Sequence, residues 1–468
     1  MEVKRMTKPR ATKTLYFLGK FMFSLFVGLE MYYFSAYLTD AALLPVAVVG
    51  LVLNIPTVVD LIFSFLNGVI IEKLHLPFGK YRFWLIVGPI VATITYALCF
   101  LRIGDDWACG IMIIISLIIA HFFWSLAETA LNALPTLVTD DVAERSSLSM
   151  LFGTAANWSG ALYGLIAMPI ITFFNGATNS MTMGYMLLTV VLGILYIIAF
   201  LLLAMNIKEV EAAEAARAAA DHKVAKGPSV GAMISNITKN GPLIALLLYN
   251  LCFFTSIFTQ SLLMFYYFQY VLGAAAIMGL FMTARGIATM VTTFLYAPIM
   301  KLFKGSKRNV IIFAGVLNTV YMLAMWVMQP NVTVFMVVSL IVAVIGGVAN
   351  MPAIALYADC ASYGEWKTGV DCKGFVMSLY NVPVKVGLTA KGFIVAAILM
   401  VVGYDAKATA PEIIASYATG FNNGYMLVGA ILSIAGVIIL LLGYHLSEAK
   451  VAQCVAETEQ RKNGNLKA

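Results

Sequence analysis

Charge is scarce in this 468-residue chain: Asp, Glu, Lys and Arg together make up 11% of it, against roughly 25% in an ordinary soluble domain. Apolar residues make up 61%, more than a soluble fold could hide, so the chain reads as a polytopic membrane protein. Cysteine is equally thin. There are six: Cys99 and Cys252 fall in apolar runs, and Cys360, Cys372 and Cys454 fall on the side expected to be reducing. Cys109, the one near the opposite side, has no obvious partner, so no disulfide framework is expected. Cys360 and Cys372 are far apart with no histidine near them, which argues against a metal site. No nucleophile–base pair appears either, so an enzyme is not expected. The opening "MEVKRMTKPRATK" lacks a signal peptide's cleavage site, and the first helix is expected to stay in the mature protein.

What is abundant is long apolar runs. A span needs about 20 such residues at helical rise, and helices are expected because each span must satisfy its own backbone in hydrocarbon. Twelve spans are predicted, near 15–38, 44–72, 83–102, 108–138, 147–174, 181–205, 242–272, 274–300, 309–329, 333–358, 374–403 and 420–446. With the N-terminus inside, two of the 30 basic residues, Arg102 and Lys407, fall outside and four (Lys20, Arg285, Lys385, Lys391) fall in spans. The rest lie inside, which places both termini in the cytoplasm of a multi-pass cell-membrane protein. The net charge of +7 is thus a topology signal rather than a nucleic-acid surface.

The polar segment from Asn206 divides the spans into two sets of six. The expected organisation is a first bundle over 1–206, a cytoplasmic linker over 207–241 and a second bundle with its tail over 242–468. The linker's alanine-rich first part suits a short surface helix. Each half also carries a tight basic turn at the same place: "EKLHLPFGKYRFW" after the second span, "MKLFKGSKRNV" after the eighth. Equivalent placement favours a parallel repeat.

Polar residues inside spans cost roughly 2.5–3.5 kcal/mol each on insertion scales and mark function by default. Asp60, Ser64 and Asn67 share one helical face of the second span; His121, Trp124, Glu128 and Asn132 share a stripe of the fourth. Ser378, Asn381, Lys385 and Thr389 recur at helical spacing in the eleventh. Asp60 and Glu128 can pair with Lys385. Desolvation and a nearby cation shift a carboxyl's pKa in opposite directions, and moving that balance is how a proton is coupled to transport. Glu30, in the outer half of the first span, reads equally as functional or as part of a wetted vestibule. Lys20, Arg285 and Lys391 read as snorkelling cations. Tyr32, Tyr33, Trp124, Trp158, Tyr249, Tyr266, Tyr267 and Tyr380 can stack on sugar rings, and Gly346, Gly347, Gly387 and Gly392 read as close-packing positions.

The passage "ADCASYGEWKTGVDCKGF" (358–375) reads as a cytoplasmic loop between the tenth and eleventh spans. With "SLYNVPVKVG", "GKYRFWLIVG" and Asp60, it resembles the glycoside–pentoside–hexuronide:cation symporters, whose best-known member is the melibiose permease. That resemblance implies an all-α major facilitator fold of two six-helix bundles and cation-coupled uptake of a sugar or glycoside. Asp60 matches the first acidic residue of the family's cation site and Lys385 its eleventh-span lysine. The second-span pattern then departs: Phe63, Ser64 and Phe65 stand where the family has asparagine, aspartate and proline. A sodium site of paired carboxylates is therefore not expected, and a proton is favoured. Phe21 replaces the first-span aspartate, Glu128 falls one residue beyond the fourth-span aspartate, and Phe152 stands near the expected fifth-span arginine, so galactoside recognition is not carried over.

The resulting assignment has Asp60, Ser64 and Lys385 in cation coupling and Glu30, Trp124, Glu128, Tyr380 and Asn381 at the substrate. Asp359, Glu365, Lys367, Lys80 and Arg82 are placed at a cytoplasmic gate, with Asp371 and Lys373 as further ion-pair candidates there. No cofactor and no metal are expected; the partners are a small-molecule glycoside or related solute, a coupling cation (H+ favoured) and membrane lipid. The alternatives are a transporter of an amphiphilic or lipid-like solute, and, from another class, a non-transporting membrane sensor or scaffold.

Overall fold

The computed structural model describes residues 9–73, 78–138, 142–212, 230–329, 331–350, 352–370, 372–405 and 411–462. Among these there is no strand. Nine helices are long and apolar enough to cross a membrane, and two shorter apolar helices, Arg82–Leu98 and Val332–Val348, fall at the predicted third and tenth spans. The first predicted span is helical too, but in pieces: Pro9–Phe26, Gly28–Tyr32 and Phe34–Ala36, followed by a wide π turn over Tyr37–Ala41. Large side chains such as Phe294, Val401 and Leu442 are more than four-fifths exposed, as expected where lipid rather than protein completes the burial. Part of the expected linker helix, residues 213–229, lies outside the described residues, as do Asp371 and Lys407.

Two compact units share the chain. One comprises Met1–Val224, Leu262–Ile287 and Gly392–Ala418; the other comprises Ala225–Ser261, Ala288–Lys391 and Thr419–Ala468. Helices Gly241–Tyr266, Met278–Leu302 and Asn381–Val402 therefore each run from one unit into the other. Within the first unit, backbones meet at small residues. Gly164 of the fifth span faces the carbonyl of Gly279, and a Cβ on Gly392 would lie 2.8 Å from the Leu53 carbonyl. Neither position has room for a side chain. In the second unit, Gly347 and Gly387 are equally confined, by Thr292 and by the Thr255 backbone, whereas nothing lies within 4 Å of a Cβ on Gly346. Three of the four glycines predicted from sequence thus serve close approach.

Matched features recur along the chain. The π turn Tyr37–Ala41 has a counterpart in Tyr267–Val271. In both, the exit is closed by paired backbone bonds (Ala42 N–H to Tyr37 O and Leu44 N–H to Leu38 O; Leu272 N–H to Tyr267 O and Ala274 N–H to Phe268 O). Each is followed by a left-handed residue, Leu43 at φ 54° and Gly273 at φ 62°. The two basic turns match as well. Tyr81 N–H donates to Glu211 and Arg82 Nε to the Ala204 carbonyl at the end of the sixth span. Lys307 N–H donates to Glu448 and Arg308 to the Leu441 carbonyl at the end of the twelfth.

The passage at 358–375 is not the expected loop. Residues Ala353–Thr368 form a helix that ends at left-handed Gly369, φ 73°, whose N–H donates to Glu365 O at 2.8 Å. Hydropathy marks where lipid stops, not where a helix stops. Here the polar residues find partners in the protein: Lys307 Nζ donates to Asp359 at 2.6 Å, Asn240 Nδ2 to Cys360 O at 2.8 Å and Trp366 Nε1 to Glu457 at 2.6 Å. That last bond, with one from Gln453, holds the Glu457 carboxyl below the usual range.

Gly79 has φ 107°, and a Cβ there would lie 2.5 Å from the Glu211 carboxylate. Gly79→Ala is expected to destabilise the protein by about 1–3 kcal/mol through backbone strain alone, with displacement of Glu211 in addition. Gly305, at φ 80° with open space around it, should lose only about 1–2 kcal/mol as Gly305→Ala. Thermal melts of the two variants in detergent check the order; equal losses would mean that Glu211 does not brace the turn.

Candidate functional site

The first span carries Lys20 and Glu30 to two levels of the first unit. Lys20 is 7% exposed, and its Nζ donates to Glu128 Oε1 of the fourth span at 2.8 Å. It also lies 4.2 Å from the Phe152 ring centroid and 4.9 Å from that of Phe23, within cation–π range. The expectation that Lys20 snorkels is therefore wrong. Lys391, 3% exposed, is buried too. Snorkelling relieves a cation only when no anion or ring is nearer than the interface, and Lys20 has both. Lys20 and Glu128 thus form an ion pair within the first unit.

Ten residues further on, Glu30 Oε2 lies 3.1 Å from His121 Nε2. The His121 ring rests against Trp124, 4.6 Å between centroids, and Trp124 meets Phe26 and Tyr96 edge-on. Trp124 is 7% exposed, so most of its surface is committed to packing. The pieces of the first span suit this crowding: at Gly28 any Cβ would come within 2.8 Å of the Tyr163 ring.

Asp60 sits in helix Val46–Lys73 and is 5% exposed. Two turns on, Asn67 Nδ2 donates to Ser125 Oγ at 2.7 Å, so the face bearing Asp60, Ser64 and Asn67 is the one packed on the fourth span. The Ser64 hydroxyl donates to the Leu61 carbonyl at 2.7 Å, which leaves its oxygen as an acceptor.

In the second unit, Lys385 is half-buried and bears the carbonyl that accepts from Thr389 at 3.1 Å. Tyr380 is half-buried between Tyr357 and Phe254, and Asn381 is exposed. Asp359 is tied to Lys307 of the same unit, Glu365 is 4% exposed, and Lys367 lies over the Tyr363 ring. In the first unit, Lys80 lies over Tyr81 and Arg82 binds the Ala204 and Phe78 carbonyls. These gate candidates thus tie the basic turns and their neighbouring helices within a unit. Of the aromatics read as ring-stacking candidates, Tyr33, Tyr266 and Tyr267 are fully buried packing, while Trp158 is 51% exposed.

Residues 15–448 match the family described as MFS/sugar transport protein. The chain belongs to that family. Its placement within the glycoside–pentoside–hexuronide group of the major facilitator superfamily is supported by curated relatives. It is 27% identical over 441 residues to the glucuronide carrier protein homolog of Escherichia coli K12, covering 91% of this chain and 90% of that one. It is 23% identical to the isoprimeverose transporter of Lactiplantibacillus pentosus, covering 85% and 82%. Among solved structures, the inward open xylose transporter of E. coli aligns with TM-score 0.63 at 13% identity, over 96% of this chain and 99% of that one. The match at that identity concerns the fold. The chain is a multi-pass membrane transporter of this superfamily, not an enzyme.

The sequence reading missed Lys20 and undervalued His121. For His121 the signal was its place on one helical stripe with Trp124 and Glu128; nothing at helical spacing marked Lys20.

Removing Lys20 alone leaves Glu128 without its cation. Lys20→Met is expected to destabilise by about 3 kcal/mol, toward the low end for a broken buried pair because a quarter of the Glu128 side chain is exposed. Adding Glu128→Gln should restore most of the loss. A double-mutant cycle by chemical denaturation decides; additive losses would sink the pairing.

Proposed function

We propose that this chain imports a sugar or glycoside together with a proton, by alternating access, with both termini in the cytoplasm. The observation that carries this reading is the buried Lys20–Glu128 pair beside Phe152 and Tyr16, whose rings lie 6.1 Å apart. An ammonium and a carboxylate supply the donors and acceptors that sugar hydroxyls need, and the rings supply an apolar face for the carbon side. A sugar entering the pair would take over bonds that the two groups now make to each other, so neither charge is left bare during binding. The names of the relatives, a glucuronide carrier homolog and an isoprimeverose transporter, support a glycoside or uronide.

Asp60 is the coupling residue we assign, with Ser64 one turn away and Lys385 as the basic group of that step. Phe63, Ser64 and Phe65 replace the family's second acid and its neighbours, so Asp60 without that paired carboxylate suits a proton better than sodium, which needs several hard oxygen ligands. Glu30, Trp124, Tyr380 and Asn381 complete the proposed substrate set. The chain then divides, in this reading, into six-helix bundles over 1–206 and 242–468, and the matched basic turns and π turns fit a parallel repeat. Substrate and proton together favour the state that neither stabilises alone.

Uptake into proteoliposomes, with labelled glycosides, pentosides and uronides under an imposed pH gradient, tests the reading. Asp60→Asn should lose uphill accumulation tenfold or more yet retain exchange of internal for external substrate. Lys20→Gln should raise the half-saturating concentration at least about tenfold, the equivalent of one charge-assisted bond. Accumulation that follows sodium instead, or flux only with amphiphiles, overturns it.

A further inference from the structure

Beyond the end of the first span, a carboxylate is enclosed by tyrosines from three separate segments. Asp40 lies in the π turn that follows the first span. Its Oδ1 accepts from Tyr404 Oη at 2.7 Å and from Thr39 Oγ1 at 2.6 Å. Tyr404 follows the eleventh span, just after left-handed Gly403. Its hydroxyl lies 2.9 Å from that of Tyr270, and Thr39 Oγ1 lies 2.9 Å from Tyr266 Oη, both tyrosines being on the seventh span's end. Rings of Tyr266, Tyr270 and Tyr417 pack on the Tyr404 ring at 5.3, 5.7 and 5.1 Å. Tyr417 is itself fixed by the backbone of Asp405, its hydroxyl accepting from the N–H and donating to the carbonyl. Ser35 Oγ, donating to Leu262 O at 3.1 Å, closes the layer beneath. A cavity of about 330 Å³ lined by Thr39, Pro45, Tyr404 and exposed Asp405 adjoins the cluster, so water reaches its rim.

Two acceptor bonds on one oxygen leave Oδ2 as the atom that can take a proton without breaking either. We propose that Asp40 is a proton-binding site of this transporter, and that the tyrosine seal over it closes when Asp40 is protonated from this face and loosens when it is ionised. The inference rests on the symport reading but assigns a site apart from Asp60: the proton returns to the same face when the seal opens.

The surroundings support the sign. Burial pushes the Asp40 carboxyl above the usual carboxylate range, against the hydrogen bonds from Thr39 and Tyr404, which lower it. The titratable groups facing it are Tyr37 on its own turn, Tyr266 and Tyr270 of the seventh span, Tyr404 and Asp405 after the eleventh, Tyr417 of the twelfth and Tyr185 of the sixth. Arg102 and Cys109 act one step removed, through Tyr37. With the tyrosines withdrawn, the carboxyl meets water and its affinity for the proton falls to the ordinary value. A group whose affinity is raised in the sealed state adds stability to that state at low pH, and the contribution is lost as pH rises through the sealed-state value.

The test places spin labels at Ile103→Cys and Gln269→Cys, both exposed positions at this end, in the full chain with its six native cysteines replaced. The distance distribution is read by electron–electron resonance from pH 5 to 8, without substrate. The short-distance fraction should fall as pH rises, the ratio of short to long changing by no more than about tenfold per unit for one proton. Asp40→Asn should remove the slope and hold the short distance throughout. Tyr404→Phe should lower the short fraction at every pH but keep the slope. A native protein without a slope, or Asp40→Asn with the native slope, overturns the proposal, and the first outcome decides even if the Asp40 variant does not fold. Because no substrate is present, loss of sugar uptake alone would refute the symport reading and not this one.

Discussion

The ionisable side chains Lys20 and Glu30 of the first span and Asp40 of the turn after it each meet a hydrogen-bonding partner, and this pairing organises the first unit. Lys20 meets Glu128, Glu30 meets His121, and Asp40 meets Tyr404. In a low-dielectric interior an unpaired charge costs several kcal/mol, so contacts along the pieces of the first span and the turn after it set their rotation and depth together. The fourth span answers with Glu128, His121 and, through Ser125, a bond to Asn67 of the second span. The pieces of the first span follow from the same constraint. One unbroken helix turns 100° per residue, and breaks at Val27 and Tyr33 with a π turn at Tyr37 let side chains 20 residues apart meet partners on different neighbours.

In the proposed function the same pairs matter, because a pair that is complete without ligand can be exchanged for one that includes it. The Lys20–Glu128 contact at 2.8 Å joins groups that can also bond hydroxyls. The aromatic rings around it exclude water, which raises the worth of each remaining hydrogen bond. Asp60 differs. It is almost wholly buried, on a helix face packed against the fourth span.

The fold was legible from hydropathy. Each of the twelve predicted ranges is mostly helical over its described residues, because the bilayer admits few other solutions and apolar length reports it directly. The ends of helices were less legible. At 358–375, polar residues read as a loop, yet Asp359, Cys360 and Trp366 found Lys307, Asn240 and Glu457, none of them near in sequence. The candidate site was half legible: Asp60, Glu128, Trp124 and Glu30 stood out as polar or aromatic in apolar runs, but Lys20 and Lys391 resembled any snorkelling lysine.

The sequence by itself determined the solvent this protein folds in, the family motifs and which residues are chemically unusual for where they lie. Composition and periodicity are properties of single segments, and each of those conclusions concerns a single segment. Only the tertiary structure decided which charge meets which. Lys20 to Glu128 spans 108 residues and Asp40 to Tyr404 spans 364, and contacts at such separations depend on how helices rotate and pack. That rotation is set by small residues such as Gly164 and Gly279, whose importance is visible only when the second backbone is in place.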